Sequence, residues 1–183
     1  ELLEAEAKRK IEKSDQLSIS DKNKYELFKN GFGFTETVDQ KITISQVTND
    51  LSISKPQDRL VCGEVGFGKT EIALRASFIC TENLKQVCIL APTTILARQH
   101  FELFKERFEN FDVKVDFLSR ERSQKEKSKI IEELKNGDIS IIIGTHSLLS
   151  DSITFADLGL LVIDEEHRSV SYTHLRAHET VAN

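Results

Sequence analysis

Gly63-Glu64-Val65-Gly66-Phe67-Gly68-Lys69-Thr70 is the stretch on which the fold turns. It satisfies G-x-x-x-x-G-K-[ST] at every defined position. Arg59-Leu60-Val61-Cys62 ahead of it reads as a short buried strand. Residues 71–81 behind it read as a helix, with Ile72, Ala76 and Ile79 on one face. That context gives the pattern its chemistry. Glycines let the backbone curl until several N–H groups point inward, and the helix start adds the positive end of its dipole. In such a cradle Lys69 reaches phosphate oxygens, the Thr70 hydroxyl ligates Mg2+, and Gly63, Glu64, Val65, Gly66, Phe67 and Gly68 form the surrounding loop. A glycine-rich turn that binds nothing is the plain alternative, and a complete motif between strand and helix speaks against it.

Working outward, apolar strands alternate with helices. Residues 86–90 (QVCIL), 113–118, 139–143 and 159–163 (GLLVI) read as further strands. Residues 95–108 read as a helix with Ala97, Phe101, Phe104 and Phe108 on one core-facing stripe. Residues 123–136 read as a helix opened by a Ser123–Glu126 capping box and closed by Gly137, with charges of alternating sign marking a solvated face. Upstream, Thr37 and Gln40 fit another capping box before Ile44, Val47 and Leu51. Residues 25–34 are aromatic around two glycines and read as a loop tucked against a core. Residues 14–24 read as a polar linker and 1–13 as a solvated helix. Alternation of this kind predicts an α/β fold, a mostly parallel sheet with helices on both faces, plus an N-terminal helical appendage. Ligands in such sheets bind at the carboxyl ends of the strands.

A second chemical string lies at one such end. Leu160-Leu161-Val162-Ile163 runs into Asp164-Glu165-Glu166-His167. Acids that end a buried strand are costly unless they have work or partners. Asp164 is suited to hold Mg2+, through water, and Glu165 to orient and deprotonate an attacking water. An ordinary acidic loop is the alternative, weakened by the cradle upstream. A zinc site lacks its usual ligand spacing around these four residues.

The whole composition sets bounds. In 183 residues, 39% are hydrophobic and the formal net charge is −5, so a packed core is available and a globally basic nucleic-acid binder is disfavoured. Local groups can still contact phosphates. No run of 18 apolar residues predicts a membrane span, and no leader opens the chain. The three cysteines, Cys62, Cys80 and Cys88, are expected as reduced, buried thiols of a cytoplasmic protein. The start at Glu1 and the lack of any Met suggest a piece of a longer chain.

The cradle, Ala91-Pro92-Thr93-Thr94-Ile95-Leu96-Ala97-Arg98-Gln99-His100, Gly144-Thr145-His146-Ser147-Leu148-Leu149 and Leu158-Gly159-Leu160-Leu161-Val162-Ile163-Asp164-Glu165-Glu166-His167-Arg168 together resemble the first motor domain of superfamily 2 helicases. Within that superfamily the strings resemble the RecG-like group, and within the group the transcription-repair coupling factor family. RecG-type enzymes more often carry serine where Phe67 stands and glutamine where Glu166 stands. The resemblance covers residues 25–168 and implies a RecA-like P-loop NTPase domain using ATP and Mg2+. It implies catalytic roles for Lys69 and Glu165, metal roles for Thr70 and Asp164, and adenine contacts from Phe34 and Gln40. Gln40 equally well completes its capping box, and that choice stays open here. Thr93 and Thr94, Ser119 and Arg120, and Thr145 and His146 match loops that touch the nucleic-acid backbone. Helix capping for the threonines, a solvated charge for Arg120 and a structural histidine at 146 are the alternatives. His167 matches a residue coupling the nucleotide site to the DNA face.

The implied whole is a double-stranded DNA translocase that displaces stalled RNA polymerase and recruits excision-repair proteins, with a second RecA-like domain in cis. A RecG-type fork-remodelling helicase and a nucleotide-switched binding module without motor activity are the alternatives. The expected layout is an N-terminal helix and linker over 1–24, an ATP-binding domain over 25–168, and a tail over 169–183 foreign to the fold, in which His174 and His178 are not read as a metal pair. Lacking the second motor domain, the segment is expected to bind ATP but to hydrolyse it poorly.

Overall fold

The computed structural model describes residues 14–63 and 68–164. The expected helix over 1–13, the cradle residues 64–67, Glu165, His167 and the tail over 169–183 lie outside the described residues. The chain divides between Lys85 and Gln86 into two compact units.

The first unit is helical: α1 (Lys22–Asn30), α2 (Val38–Leu51) and α3 (Lys69–Glu82). Each start has a local cause. The Asp21 carboxylate accepts from the amides of Asn23 and Lys24 and caps α1. Thr37 and Gln40 form the predicted capping box on α2. α1 corrects the expected loop over 25–34. It buries only Phe28, whose ring stacks on Phe78 of α3 at 4.5 Å, and the glycines that suggested a loop, Gly31 and Gly33, lie just beyond its end. The linker reading of 14–24 also needs correction. Leu17 is buried, its amide donates to the Leu51 carbonyl at 2.8 Å, and Asn83 donates to the Ser18 carbonyl at 2.8 Å.

Residues 59–62 form no strand. Leu60 is 83% exposed, and Arg59 turns back to a two-armed pair with Asp50 while also donating to Gln46 at 3.2 Å. A short apolar run becomes a strand only where a neighbouring strand receives its hydrogen bonds. Cys62 is exposed, against the expectation of three buried thiols, whereas Cys80 and Cys88 are buried. Burial pushes the Cys80 thiol up to about 12.

The second unit is an all-parallel sheet of β1 (Gln86–Leu90), β2 (Val115–Leu118), β3 (Ile141–Gly144) and β4 (Leu158–Ile163), in the order β2-β3-β1-β4. β1 and β3 are central and wholly buried, which is why they read as unbroken apolar runs. Two helices cover opposite faces, α4 (Thr94–Phe108) between β1 and β2, and α5 (Gln124–Asn136) between β2 and β3. Ile130 and Leu134 of α5 pack with Cys88, Leu90, Leu118 and Ile142. Phe117 points the other way and stacks on Phe101 of α4 at 5.7 Å. Ala97, Phe104 and Phe108 are buried as predicted, with Phe101 half-buried at the rim. At the amino end of β1, buried Gln86 satisfies its amide fully. It donates to the carbonyls of Leu134 and Ile139 at 2.9 and 2.8 Å and accepts from Asp157 at 3.0 Å. That end is closed by structure, leaving the carboxyl ends for chemistry.

Candidate functional site

In the first unit the candidate residues gather at the start of α3. Gly68 is the helix N-cap, with φ 77°, a left-handed conformation that glycine adopts without strain. A Cβ there would also run into the Gln40 amide, so a side chain at this position would displace Gln40. Lys69 follows as the first helical residue, and its Nζ donates to the Gly63 carbonyl at 2.6 Å, bridging the ends of the cradle loop. Thr70 is half-buried beside it. Gly68 offers no side-chain cap to the amides of the first turn.

The capping reading of Gln40 is realised. Its Oε1 accepts from the Thr37 amide at 2.9 Å, and the residue is only 6% exposed. Its Nε2 is the group nearest Gly68, so the cap also carries the amide to the cradle. Phe34 is 80% exposed, with its ring edge-on to Phe32 at 5.5 Å.

Sequence reasoning missed a buried charge cluster behind this cradle. Arg75, 2% exposed on α3, donates to Glu71 Oε1 at 2.5 Å and to Glu36 Oε1 at 2.7 Å, and lies over the Tyr25 ring at 5.7 Å. Burial by itself lowers the Arg75 pKa. Hydrogen bonding and attraction to Tyr25 and Glu71 outweigh it and hold the guanidinium above its ordinary value. The i, i+4 spacing of Glu71 and Arg75 was a visible signal; the third member, Glu36, had none.

In the second unit the parallel register does the assembling. Leu90, Leu118, Gly144 and Ile163 end their strands in register, so the residues that follow share one edge of the sheet. Along that edge come Ser119 and Arg120, then Thr145 and His146, then Thr93 and Thr94, then Asp164, on strands about 4.8 Å apart. Thr93 Oγ1 caps α4 by accepting from the Leu96 amide at 3.2 Å, yet the residue stays exposed. Capping and backbone contact are therefore compatible. Ser119 is 2% exposed, while Arg120 faces solvent and its carbonyl accepts from Lys127 at 3.0 Å. Arg122 ties this turn down through Asp116 at 2.8 Å. Thr145 is half-buried and His146 exposed at the start of a 3-10 turn, His146–Leu149. Gly144 before them is held to glycine by close approach: a Cβ would lie 2.7 Å from the Leu118 carbonyl and 2.9 Å from Leu148.

Asp164 is half-buried and pairs with a residue to which the sequence gave no role. His100 Nε2 lies 2.7 Å from its Oδ2. The two are 64 positions apart, so no spacing rule could have linked them.

Comparison with known proteins follows the same lines. The chain matches the DEAD/DEAH box helicase family over residues 37–182. It is 49% identical to the transcription-repair-coupling factor of Haemophilus influenzae over 168 residues, which is 92% of this chain and 15% of that protein. It is 50% identical to the transcription-repair-coupling factor of Escherichia coli K12 over 148 residues, 81% of this chain and 13% of that one. The chain thus spans a small part of the curated relatives it matches. Among solved structures, one of RecG bound to a three-way DNA junction superposes with a TM-score of 0.83 at 35% identity, covering 91% of this chain and 23% of that chain.

Proposed function

This chain belongs to the DEAD/DEAH box helicase family, and we propose from that premise that it is the ATP-binding motor half of a double-stranded DNA translocase. In the longer protein, ATP hydrolysis drives displacement of stalled RNA polymerase and recruitment of excision repair. The observation that carries the motor reading is the shared sheet edge, where the three nucleic-acid candidate loops run up to the acid at 164. A motor needs its track contacts and its metal-holding acid on common rigid elements. Identity near 50% to transcription-repair-coupling factors, against 35% to the RecG structure, supports the polymerase-displacing role over fork remodelling.

The residues present fit a magnesium nucleotide. Gly68 takes the left-handed conformation that favours glycine, and the helix start behind it is positive. Lys69 and the first-turn amides of α3 bind the β- and γ-phosphates, and Gln40 and Phe34 hold the adenine. Thr70 and Asp164 are the Mg2+ anchors. The ion, when bound, offsets charge that builds up on the transferring phosphoryl group. Glu165 orients the attacking water and takes its proton. Thr93, Thr94, Ser119, Arg120, Thr145 and His146 grip the DNA backbone, and His167 relays between the two sites. Residues 25–168 act as the nucleotide-binding domain. Full turnover needs an arginine from a second motor domain, which is worth several orders of magnitude in rate.

Binding of a fluorescent ATP analogue tests the nucleotide half. Lys69→Ala is expected to weaken it by about a hundredfold with the fold intact by circular dichroism, and undiminished binding overturns the assignment. The motor half is tested in the full-length protein carrying this segment, where Lys69→Ala must abolish movement on duplex DNA. DNA-stimulated hydrolysis at full rate by this chain alone overturns the need for a second domain.

A further inference from the structure

Asp164 is held from two sides by one supersecondary unit. Its backbone N–H donates to the Leu90 carbonyl at 2.9 Å, and its carboxylate meets His100 Nε2 at 2.7 Å. Leu90 ends β1, and His100 lies in the second turn of α4, with only Ala91, Pro92 and Thr93 between strand and helix. A carboxylate at the end of a strand turns freely about its side-chain bonds. A hydrogen bond on one oxygen restricts that rotation. Outer partners of this kind are worth about tenfold to a hundredfold in metal affinity. The bond is shielded, with side-chain exposures of 15% for His100 and 28% for Asp164. The fully buried residues of α4 are Ala97, Phe104 and Phe108, and His100 is not among them. An ionised carboxylate only accepts, so the imidazole donates from Nε2.

We propose that His100 is a positioning residue that holds the Asp164 carboxylate in the orientation required to receive Mg2+, fastening that acid to the helix that begins at Thr93 and Thr94. The inference rests on the reading of Asp164 as a metal anchor given above. It makes one rigid helix common to the backbone-contacting threonines and the metal-holding acid, so displacement of α4 at its amino end moves the acid as well.

The test needs no turnover. The whole chain of 183 residues is titrated with a fluorescent ATP analogue with and without Mg2+, and the readout is the factor by which the ion tightens binding. His100→Leu is expected to cut that factor by about tenfold while metal-free affinity stays within about twofold. His100→Gln, whose amide N–H reaches the same oxygen, keeps the factor within about threefold of the original. His100→Asn is too short to reach and behaves like the leucine variant, which preserves the test if leucine prevents folding. An unchanged factor in His100→Leu or His100→Asn, where Asp164→Asn has lost it, overturns the positioning role and leaves the anchor standing. An unchanged factor in Asp164→Asn itself overturns the anchor reading and this inference with it.

Discussion

α3 and α5 are 14 and 13 residues long, and they are stabilised in opposite ways. α5 buries Ile130 and Leu134 and leaves most of the rest exposed or half-buried, with Glu133 paired to Lys114 at 2.9 Å and loosely to Lys129 at 3.8 Å. α3 buries ten residues from Glu71 to Thr81, Arg75, Glu71 and Cys80 among them. A charge on α5 is solvated and nearly neutral in its effect. A charge on α3 is tolerable only because Glu36, from another segment, completes its pairing. The helix that starts at Lys69 is thus tied to the segment that carries Gln40 by a buried ion cluster, whereas α5 reaches a candidate residue only through an exposed bond, from Lys127 to the Arg120 carbonyl at 3.0 Å.

The largest expected effect comes from breaking the buried cluster. Arg75→Met leaves Glu71 and Glu36 facing each other without their cation and should cost about 3–5 kcal/mol in a urea melt. A loss below about 1 kcal/mol would place α3 in the same class as α5. Replacing the cluster together, Arg75→Met with Glu71→Leu and Glu36→Gln, should recover most of that loss, since well-packed apolar groups often match a buried ion cluster. On α5 the corresponding break is Leu134→Ala, which opens a cavity against Cys88 and Ile142 and should cost about 2–4 kcal/mol by the same melt.

The next effect is a pH dependence. The Cys80 thiol is raised from 9.0 to about 12 by burial, so the folded state holds its proton when the unfolded chain has released it. Its contribution is complete below pH 9 and fades as the pH climbs toward about 12. Stability should therefore drop by roughly 1 kcal/mol between pH 9 and 10, and Cys80→Ala should flatten that slope. The same burial predicts that a thiol reagent modifies exposed Cys62 in the folded chain long before Cys80.

The smallest effect belongs to the cap of α5. Ser123→Ala removes the acceptor for the Glu126 amide and should cost about 0.5–1 kcal/mol. Hydrogen bonds from the Ser123 side chain and backbone hold the Glu126 carboxyl below its ordinary value, so this cap weakens on acidification through the carboxylate range. Measuring the alanine variant at neutral and acid pH should show the gap narrowing as the acid is protonated; a constant gap would detach Glu126 from the cap.

The sequence by itself determined whatever depends on neighbours in the chain. The capping boxes at Thr37 and Ser123, the apolar runs of β1 and β3 and the phenylalanine stripe of α4 are local patterns, and backbone geometry reads them directly. Where the pattern was local but its outcome was not, the reading failed. Residues 59–62 look like a strand and form none, and 25–34 look like a loop although most of them lie in a helix whose Phe28 packs on Phe78. Only the tertiary structure could decide the Arg75 cluster and the His100–Asp164 bond, which join residues 39 and 64 positions apart. Such pairs depend on where packing delivers two side chains, to within an ångström, and linear order does not encode that distance.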